Sequence, residues 1–248
     1  MTIKSGLRKL APRTVRVHRI LAGPLRGRLI VTSLHDYPGA ILGRTEKPLL
    51  AWLRNNVKPG ETWLDVGAHY GYTAIAIAEL VGREGSVFAF EPELTTAGHL
   101  NRTRSLNSLD QIRVVPFGLG APGDLRSVSV SVDRGMADHT VGGTDSTEIW
   151  VIGFDHLWRM LGGRPVHGVK IDVQGMEAQV LSGMVETLAA QRPKLAVEFH
   201  AGVDRQPILE LLSKAGYRLP AEPIDRILSE SDAEYRDDHS YAFEPVPA

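Results

Sequence analysis

Cysteine is absent from the 248 residues of this sequence. A disulfide framework, a thiolate metal site and a cysteine nucleophile are therefore excluded. A chain without thiols suits a reducing compartment, so we expect a cytoplasmic protein. Long apolar runs are missing as well, because none approaches the roughly 20 residues of a membrane-spanning helix. The basic N-terminus also lacks the apolar segment of a signal peptide, and we therefore expect no membrane span.

The sequence also lacks a surplus of either charge, since it has 28 Lys and Arg residues and 29 Asp and Glu residues. Such a balance is not typical of nucleic-acid binders, so no nucleic-acid partner is expected. The segment between Lys4 and Arg28 is the local exception, because Lys and Arg are interleaved there with Leu, Val and Ile. This pattern predicts either a solvated basic face or contact with an acidic membrane surface or carrier substrate.

The length of the chain and its 43% hydrophobic residues are sufficient for one substantial core. We expect a single domain over residues 1–248, with an N-terminal cap at 1–45 and the main α/β core at 46–248. No internal repeat indicates a further unit. None of these features sets the oligomeric state.

Short apolar runs alternate with helical segments from residue 62 onward. The runs predict strands at 62–66, 86–90, 112–116, 168–172 and 195–199. The helical patterns cover residues 72–80, 94–106, 176–190 and 207–215, after a first helix at 48–55. Strand and helix in turn imply a mostly parallel, doubly wound α/β sheet of the Rossmann-like kind.

Three regions depart from this alternation. Residues 15–34 predict a β-hairpin with its turn at Ala22-Gly23-Pro24, which forms the cap. Residues 119–153 predict an inserted β-hairpin, because valines alternate there with polar residues, and such an insert is a natural place for substrate specificity. The segment after Tyr217 predicts an antiparallel hairpin at the edge of the sheet.

The stretch WLDVGAHYGYT at 63–73 places an acid at the end of a buried strand, followed by two glycines and a helix. Glycine lets the backbone turn tightly, and a helix N-terminus offers free N–H groups to a carboxylate. We therefore predict that this turn holds the amino-acid part of a cofactor. The predicted contacts are Asp65, Gly67, Ala68, Gly71 and Thr73.

Glu91 ends the next strand, where a carboxylate can accept hydrogen bonds from both hydroxyls of a ribose. The fingerprint GxGxxG is absent, which argues against a nicotinamide or flavin dinucleotide. The pair of features predicts S-adenosyl-L-methionine, with Pro92, Phe117 and Gly118 as further contacts. The alternative is a glycine turn required only for folding, with Glu91 as a surface acid.

Four motifs together resemble the FkbM family of methyltransferases. They are LDVGAHYG at 64–71, FAFEP at 88–92, VKIDVQGMEAQVLSGM at 169–184 and AVEFH at 196–200. The first two are shared by many class I methyltransferases, whereas the last two are more specific, and the match covers roughly residues 40–218. The resemblance implies the class I fold and methylation of hydroxyl oxygens on sugars, glycolipids or polyketide-type natural products.

Two residues depart from the family pattern. His69 stands where the family usually has Asn, and Gln174 stands where Glu is common. The first departure lies in the predicted cofactor turn, and the second removes a carboxylate from the predicted active face.

Methyl transfer to a hydroxyl requires alignment of the reacting atoms and removal of a proton. Asp172 ends the fourth predicted strand, and Glu198 and His200 end the fifth with side chains on the same side. We predict these three as catalytic residues, with a general base favoured. No metal is favoured, but the same three side chains would be the ligands of a divalent cation.

Three neighbouring residues keep two interpretations each. Lys170 is either a buried ion-pair partner or a catalyst, and Glu177 either compensates a helix dipole or takes part in catalysis. His139, on the insert, either reaches over the site or lies exposed in a loop. Two whole-protein alternatives also remain: an N-methyltransferase on the same fold, and an adenosyl-binding protein without turnover.

Overall fold

The computed structural model describes residues 11–133, 135–138, 146–225 and 235–246. His139 and the basic residues from Lys4 to Lys9 lie outside these ranges. The strands are β1 (Arg16–Arg19), β2 (Leu29–Thr32), β3 (Thr62–Val66), β4 (Ser86–Phe90), β5 (Ile112–Val115), β6 (Gly118–Gly120), β7 (Leu125–Asp133), β8 (Met136–Asp138), β9 (Ser146–Gly153), β10 (Gly168–Ile171), β11 (Lys194–Phe199), β12 (Glu222–Pro223) and β13 (His239–Phe243). The helices are α1 (Pro38–Leu42), α2 (Lys47–Asn56), α3 (Tyr72–Val81), α4 (Leu94–Leu106), α5 (Phe154–Met160), α6 (Glu177–Ser182), α7 (Val185–Gln191) and α8 (Gln206–Lys214).

Seven strands form the central sheet in the order β12-β13-β11-β10-β3-β4-β5. The pairs from β11 to β5 are parallel, whereas β13 runs antiparallel to both β11 and β12. The order reverses direction between β3 and β10, which is the switch point where open α/β sheets bind ligands. The predicted doubly wound sheet and its antiparallel edge hairpin are confirmed.

Every residue of β3 and β4 is buried, because helices cover both faces of the sheet. Alternate residues along a strand point to opposite faces, so Leu64 and Phe88 belong to one apolar core and Trp63 and Val87 to the other. Full burial of such a side chain contributes about 1.5–3 kcal/mol. The two cores therefore hold the parallel strands in register and bring their carboxyl ends to one edge.

The cap and the insert lie outside the central sheet. Strands β1 and β2 pair antiparallel, as predicted for residues 15–34. The insert is larger than the predicted hairpin, because β6, β9, β7 and β8 form a separate four-stranded sheet. The predicted hairpin did not include β6, which pairs parallel with β9. A parallel pair needs a crossover connection, and the local alternation of residues does not indicate one.

The predicted helix at 176–190 is wrong as a single helix, since α6 ends at Ser182 and α7 begins at Val185. Gly183 separates them, and a Cβ there would lie 2.0 Å from the Gly120 carbonyl oxygen. Asp155 caps the second helix by accepting hydrogen bonds from the backbone N–H groups of Glu186 and Thr187. A tertiary contact therefore accounts for the break.

No helix in the described ranges has the length and apolar character to cross a bilayer.

Candidate active site

A cavity of about 280 Å³ opens at the carboxyl edge of the central sheet, beside the switch point. Most of the residues predicted for cofactor and catalysis line it. They are Gly67, Ala68, Thr73, Glu91, Pro92, Phe117, Gly118, Asp172 and Glu198. Asp65, Gly71 and His200 were predicted with them but do not line the cavity.

Gly67 begins the turn after β3 with φ of 76°, a left-handed conformation that side chains disfavour. A Cβ there would lie 1.8 Å from the backbone oxygen of Asp172, so the neighbouring strand end itself requires glycine. This close approach holds the first turn against the loop that carries Asp172. His69 has φ of 50°, a conformation in which Asn is common, and its ring lies 5.1 Å from that of Tyr37.

Asp65 is fully buried beneath the turn, and its carboxylate organises the turn from below. One oxygen accepts a 2.7 Å hydrogen bond from the Thr73 hydroxyl, and the other lies 3.3 Å from the Lys170 ammonium. Burial raises the pKa of Asp65, while the Lys170 charge and the Thr73 hydrogen bond oppose that rise. Asp65 does not line the cavity, so this geometry favours a role in ordering the loop over direct contact with the amino-acid part of a cofactor.

Lys170 lies between Asp65 and Asp172, the acids of two neighbouring strands. This placement supports the ion-pair interpretation of Lys170. Its ammonium lies 3.4 Å from Asp172 and donates a 3.0 Å hydrogen bond to the Gly67 carbonyl. Burial acts to lower the pKa of Lys170, but the carboxylates of Asp65, Asp172 and Glu46 outweigh it and raise the pKa. Lys170 is therefore a cation that neutralises the buried acids around it.

Glu91 is only 4% exposed, and its carboxylate lies at the cavity wall. One oxygen accepts a 2.9 Å hydrogen bond from the His69 N–H and the other a 3.0 Å bond from the Glu93 N–H. Burial raises the pKa of Glu91 to about 8 against these two backbone hydrogen bonds. Each oxygen retains a lone pair, so two further hydroxyl donors can be accepted at once.

The insert forms the apolar wall of the cavity. Gly118 pairs with Val151, and the Thr96 hydroxyl at the start of α4 donates to the Gly135 carbonyl of the insert. These two contacts hold the insert sheet over the ends of β4 and β5. The apolar lining on this side comprises Phe117, Val128, Val130, Met136, Ile149 and Val151.

The end of the cap and Glu46, the first residue after it, form a polar wall of the cavity, which the sequence patterns did not indicate. Asp36, Tyr37 and Glu46 line the cavity, and the Tyr70 hydroxyl donates a 3.0 Å hydrogen bond to Asp36. Burial and the nearby Asp172 charge raise the pKa of Glu46. Glu46 and Asp172 both line the cavity, so this segment lies near the strand ends. The only sequence signal was an acid soon after the hairpin, and many surface loops carry one.

Asp172 and Glu198 end neighbouring strands and face the cavity together, as predicted. Burial, the Asp172 charge and the Glu46 charge raise the pKa of Glu198 to about 8. Asp172, in contrast, has the Lys170 ammonium as a partner. Two carboxylates with different surroundings thus lie side by side, which is an arrangement suited to acid–base chemistry.

His200 lies behind these carboxylates rather than in the cavity wall. Its Nδ1 lies 2.7 Å from the fully buried Glu177 carboxylate, and its Nε2 lies 2.8 Å from the Gln174 side-chain amide. Burial lowers the pKa of His200, but the Glu177 hydrogen bond and the charges of Asp172 and Glu198 raise it to about 9. Both ring nitrogens are therefore engaged, and Glu177 orients the imidazole.

The three side chains predicted as alternative metal ligands also meet. One ligand atom each of Asp172, Glu198 and His200 lies within 4.8 Å of the others. The ammonium of Lys170, however, is already 3.4 Å from one Asp172 oxygen and supplies positive charge there. The three side chains lie close enough together to bind a divalent cation, but Lys170 already neutralises part of their negative charge.

Comparisons with known proteins identify the family of this chain. The FkbM methyltransferase domain model matches residues 65–219. The hexuronic acid methyltransferase AglP of Haloferax volcanii is 30% identical over 174 residues, which cover 69% of this chain and 70% of AglP.

Two solved structures share the fold at low identity. One is a candidate rRNA methylase from Clostridium thermocellum, with a TM-score of 0.52 and 13% identity over 80% of this chain and 94% of that one. The other is the precorrin-6y C5,15-methyltransferase of Geobacter metallireducens, with a TM-score of 0.50 and 14% identity over 80% and 88% of the two chains. The chain belongs to the FkbM methyltransferase family, and its cofactor is S-adenosyl-L-methionine.

Proposed function

We propose that this FkbM methyltransferase acts on a hydroxyl oxygen of a sugar, glycolipid or natural-product acceptor. The observation that carries the proposal is the pair of carboxylates, Asp172 and Glu198, at the polar end of the cavity. A hydroxyl is a weak nucleophile until its proton leaves, so its methylation needs a positioned base. The relative AglP, which acts on a hexuronic acid, supports a carbohydrate acceptor.

The cofactor site follows from the same geometry. S-Adenosyl-L-methionine supplies an activated methyl group on a sulfonium centre. Glu91 would accept hydrogen bonds from the two ribose hydroxyls, since its oxygens keep free lone pairs at the cavity wall. Gly67, Ala68 and Thr73 would surround the amino-acid part, and Pro92, Phe117 and Gly118 the adenine, with the insert valines closing that side. Asp65 and Gly71 would support the turn from outside the cavity.

Glu198 is the proposed general base. Its raised pKa makes it a better proton acceptor near neutral pH than an ordinary carboxylate. Bound S-adenosyl-L-methionine would supply the methyl group to the acceptor oxygen, and Glu198 would take the hydroxyl proton that the acceptor loses. Asp172, fixed by Lys170, would orient the same hydroxyl. His200, held by Glu177, would act as a positioning residue for the two carboxylates.

A carboxyl oxygen of a uronic acid is the second candidate acceptor, because the relative AglP is a hexuronic acid methyltransferase. A carboxylate needs no base, and Asp36, Glu46, Asp172 and Glu198 around this cavity would repel it unless protonated. The acidic wall therefore favours a neutral hydroxyl. The same acids do not exclude an amine, so an N-methyl product remains an outcome of the test.

The test uses S-adenosyl-L-methionine labelled in the methyl group, with glycan and glycolipid extracts as the acceptor source. The expected product is a labelled methyl ether that survives mild alkali. Release of labelled methanol by alkali would establish a carboxyl ester, and label on nitrogen would establish an N-methyltransferase. Glu198→Gln is the matched control, because it keeps the size of the side chain and removes the base.

A further inference from the structure

The charge of this chain is strongly segregated along the sequence. Residues 1–35 contain eight Lys and Arg residues and no Asp or Glu. Since the whole chain has a net charge of −1, residues 36–248 carry a net charge of −9. The near-neutral total therefore conceals a cationic cap on an acidic enzyme, and a field of this kind acts on its surroundings over roughly one Debye length.

The structure shows how the described part of this cap, residues 11–35, presents its charge. Strand β1 is the outer strand, because β2 is held against α4 by hydrogen bonds from the backbone N–H groups of Leu29 and Val31 to Asn107 and Thr103. Four arginines of the cap are exposed: Arg13, Arg16, Arg19 and Arg26. Among the residues that the structure describes, Arg28 alone of the five cap arginines forms an ion pair, with Glu79.

Apolar side chains lie exposed between these arginines. Leu21, at the hairpin turn, is 58% exposed, and Val17 of β1 is 38% exposed. Residues 11–35 contain no Phe, Trp or Tyr. A single-stranded nucleic acid is usually bound by aromatic stacking beside basic groups, whereas a bilayer surface is bound by basic groups with aliphatic side chains between them. The composition of the cap hairpin therefore favours lipid.

We propose that the cap hairpin, residues 11–35, docks this enzyme on an anionic lipid bilayer. The exposed arginines contact the headgroups, and Leu21 enters the boundary between headgroups and acyl chains. The strand β2 leads directly to Asp36 and Tyr37, which line the cavity. Docking through this hairpin would therefore place the polar end of the active site near the membrane surface.

The test measures co-sedimentation of the full-length chain with vesicles of phosphatidylcholine, with and without phosphatidylglycerol. We expect binding only to the vesicles that contain phosphatidylglycerol, and strong weakening by high salt. The triple variant Arg16→Gln, Arg19→Gln, Arg26→Gln should bind about 100-fold more weakly, because each basic residue contributes about fivefold at such a surface. Leu21→Ser should lower the binding that persists at high salt.

A matched variant controls for total charge. Arg164→Gln, Lys214→Gln, Arg218→Gln removes three exposed basic residues outside the cap and should bind the vesicles like the wild type. Equal loss in both triple variants would overturn the proposal, as would no binding by the wild type or equal binding to neutral vesicles. Displacement of the bound protein by an equal charge of single-stranded RNA would identify the hairpin as a nucleic-acid surface instead. Unchanged affinity for S-adenosylhomocysteine verifies that each variant is folded.

Discussion

The two walls of the cavity differ in chemistry and in origin. The end of the cap and the residue after it contribute Asp36, Tyr37 and Glu46, all polar, and the strand ends add Asp172 and Glu198. The insert contributes valines, Ile149 and Met136 to the end beside Phe117 and Gly118. The polar wall suits a hydroxylated acceptor, and the apolar wall suits a flat base. We therefore propose that the polar wall contributes to acceptor choice, while the specificity role predicted for the insert stays a prediction.

The largest effect should come from Glu91, which is the proposed partner of the cofactor ribose. Glu91→Ala should weaken S-adenosylhomocysteine binding about 1,000-fold, because two charge-assisted hydrogen bonds of about 1.5–3 kcal/mol each are lost. Calorimetry measures this change. Glu91→Gln is the matched control, since it can keep one backbone acceptor contact and should lose less. An unchanged dissociation constant in a folded alanine variant would refute the ribose assignment.

Replacement of the proposed base tests the polar end alone. Glu198→Gln should lower kcat by about 100- to 1,000-fold, within the usual contribution of a positioned acid–base group. Affinity for S-adenosylhomocysteine should remain near that of the wild type, because the proposed role of Glu198 is toward the acceptor rather than the cofactor. A glutamine variant with normal kcat would show that the proton leaves by another route.

Asp172 separates the base interpretation from the metal interpretation. Asp172→Asn should lower kcat about 100-fold while cofactor binding persists, because the amide keeps its shape but loses the Lys170 ion pair. Wild-type turnover is measured in parallel with a chelator present. If turnover collapses and then recovers with magnesium or manganese, Asp172, Glu198 and His200 hold a cation. A dead variant beside a chelator-insensitive wild type favours proton transfer without a metal.

A pair of milder substitutions compares the two walls directly. Glu46→Gln should raise the acceptor KM about tenfold with little effect on cofactor affinity, since one charge-assisted hydrogen bond is weakened. Val128→Ala should weaken S-adenosylhomocysteine binding about fivefold with little effect on the acceptor KM, since roughly 1 kcal/mol of apolar contact is lost. The opposite pattern would reverse the assignment of the walls.

The last prediction concerns pH. Glu198 can accept a proton only when ionised, and its pKa is raised to about 8. At saturating cofactor and acceptor, kcat should therefore rise about tenfold per pH unit below pH 8 and level off above it. The rising limb should disappear in Glu198→Gln. A wild-type profile that is flat from pH 6 to about pH 9 would remove Glu198 from the role of base.

Local sequence patterns predicted correctly those features of the fold that depend on a single helix or strand. Apolar runs located all five parallel strands, and the acids that follow them, Glu91, Asp172 and Glu198, meet at one edge because parallel strands end together. The glycine turn was also predicted from the sequence, but the close approach of the Asp172 backbone, which requires glycine at position 67, was not.

Contacts between distant segments decided the rest. The break at Gly183 depends on Gly120, and the insert became a four-stranded sheet through the parallel pairing of β6 with β9. Tyr37 and Glu46 line the active site, although no periodicity in the sequence indicates this. The sequence by itself determined the sheet, the acidic strand ends and the cofactor, because each depends on one element and its neighbour. Only the tertiary structure decided that Glu46 lines the cavity and that His200 is held by Glu177 and Gln174 outside the cavity wall, because burial and hydrogen bonding between distant segments set both.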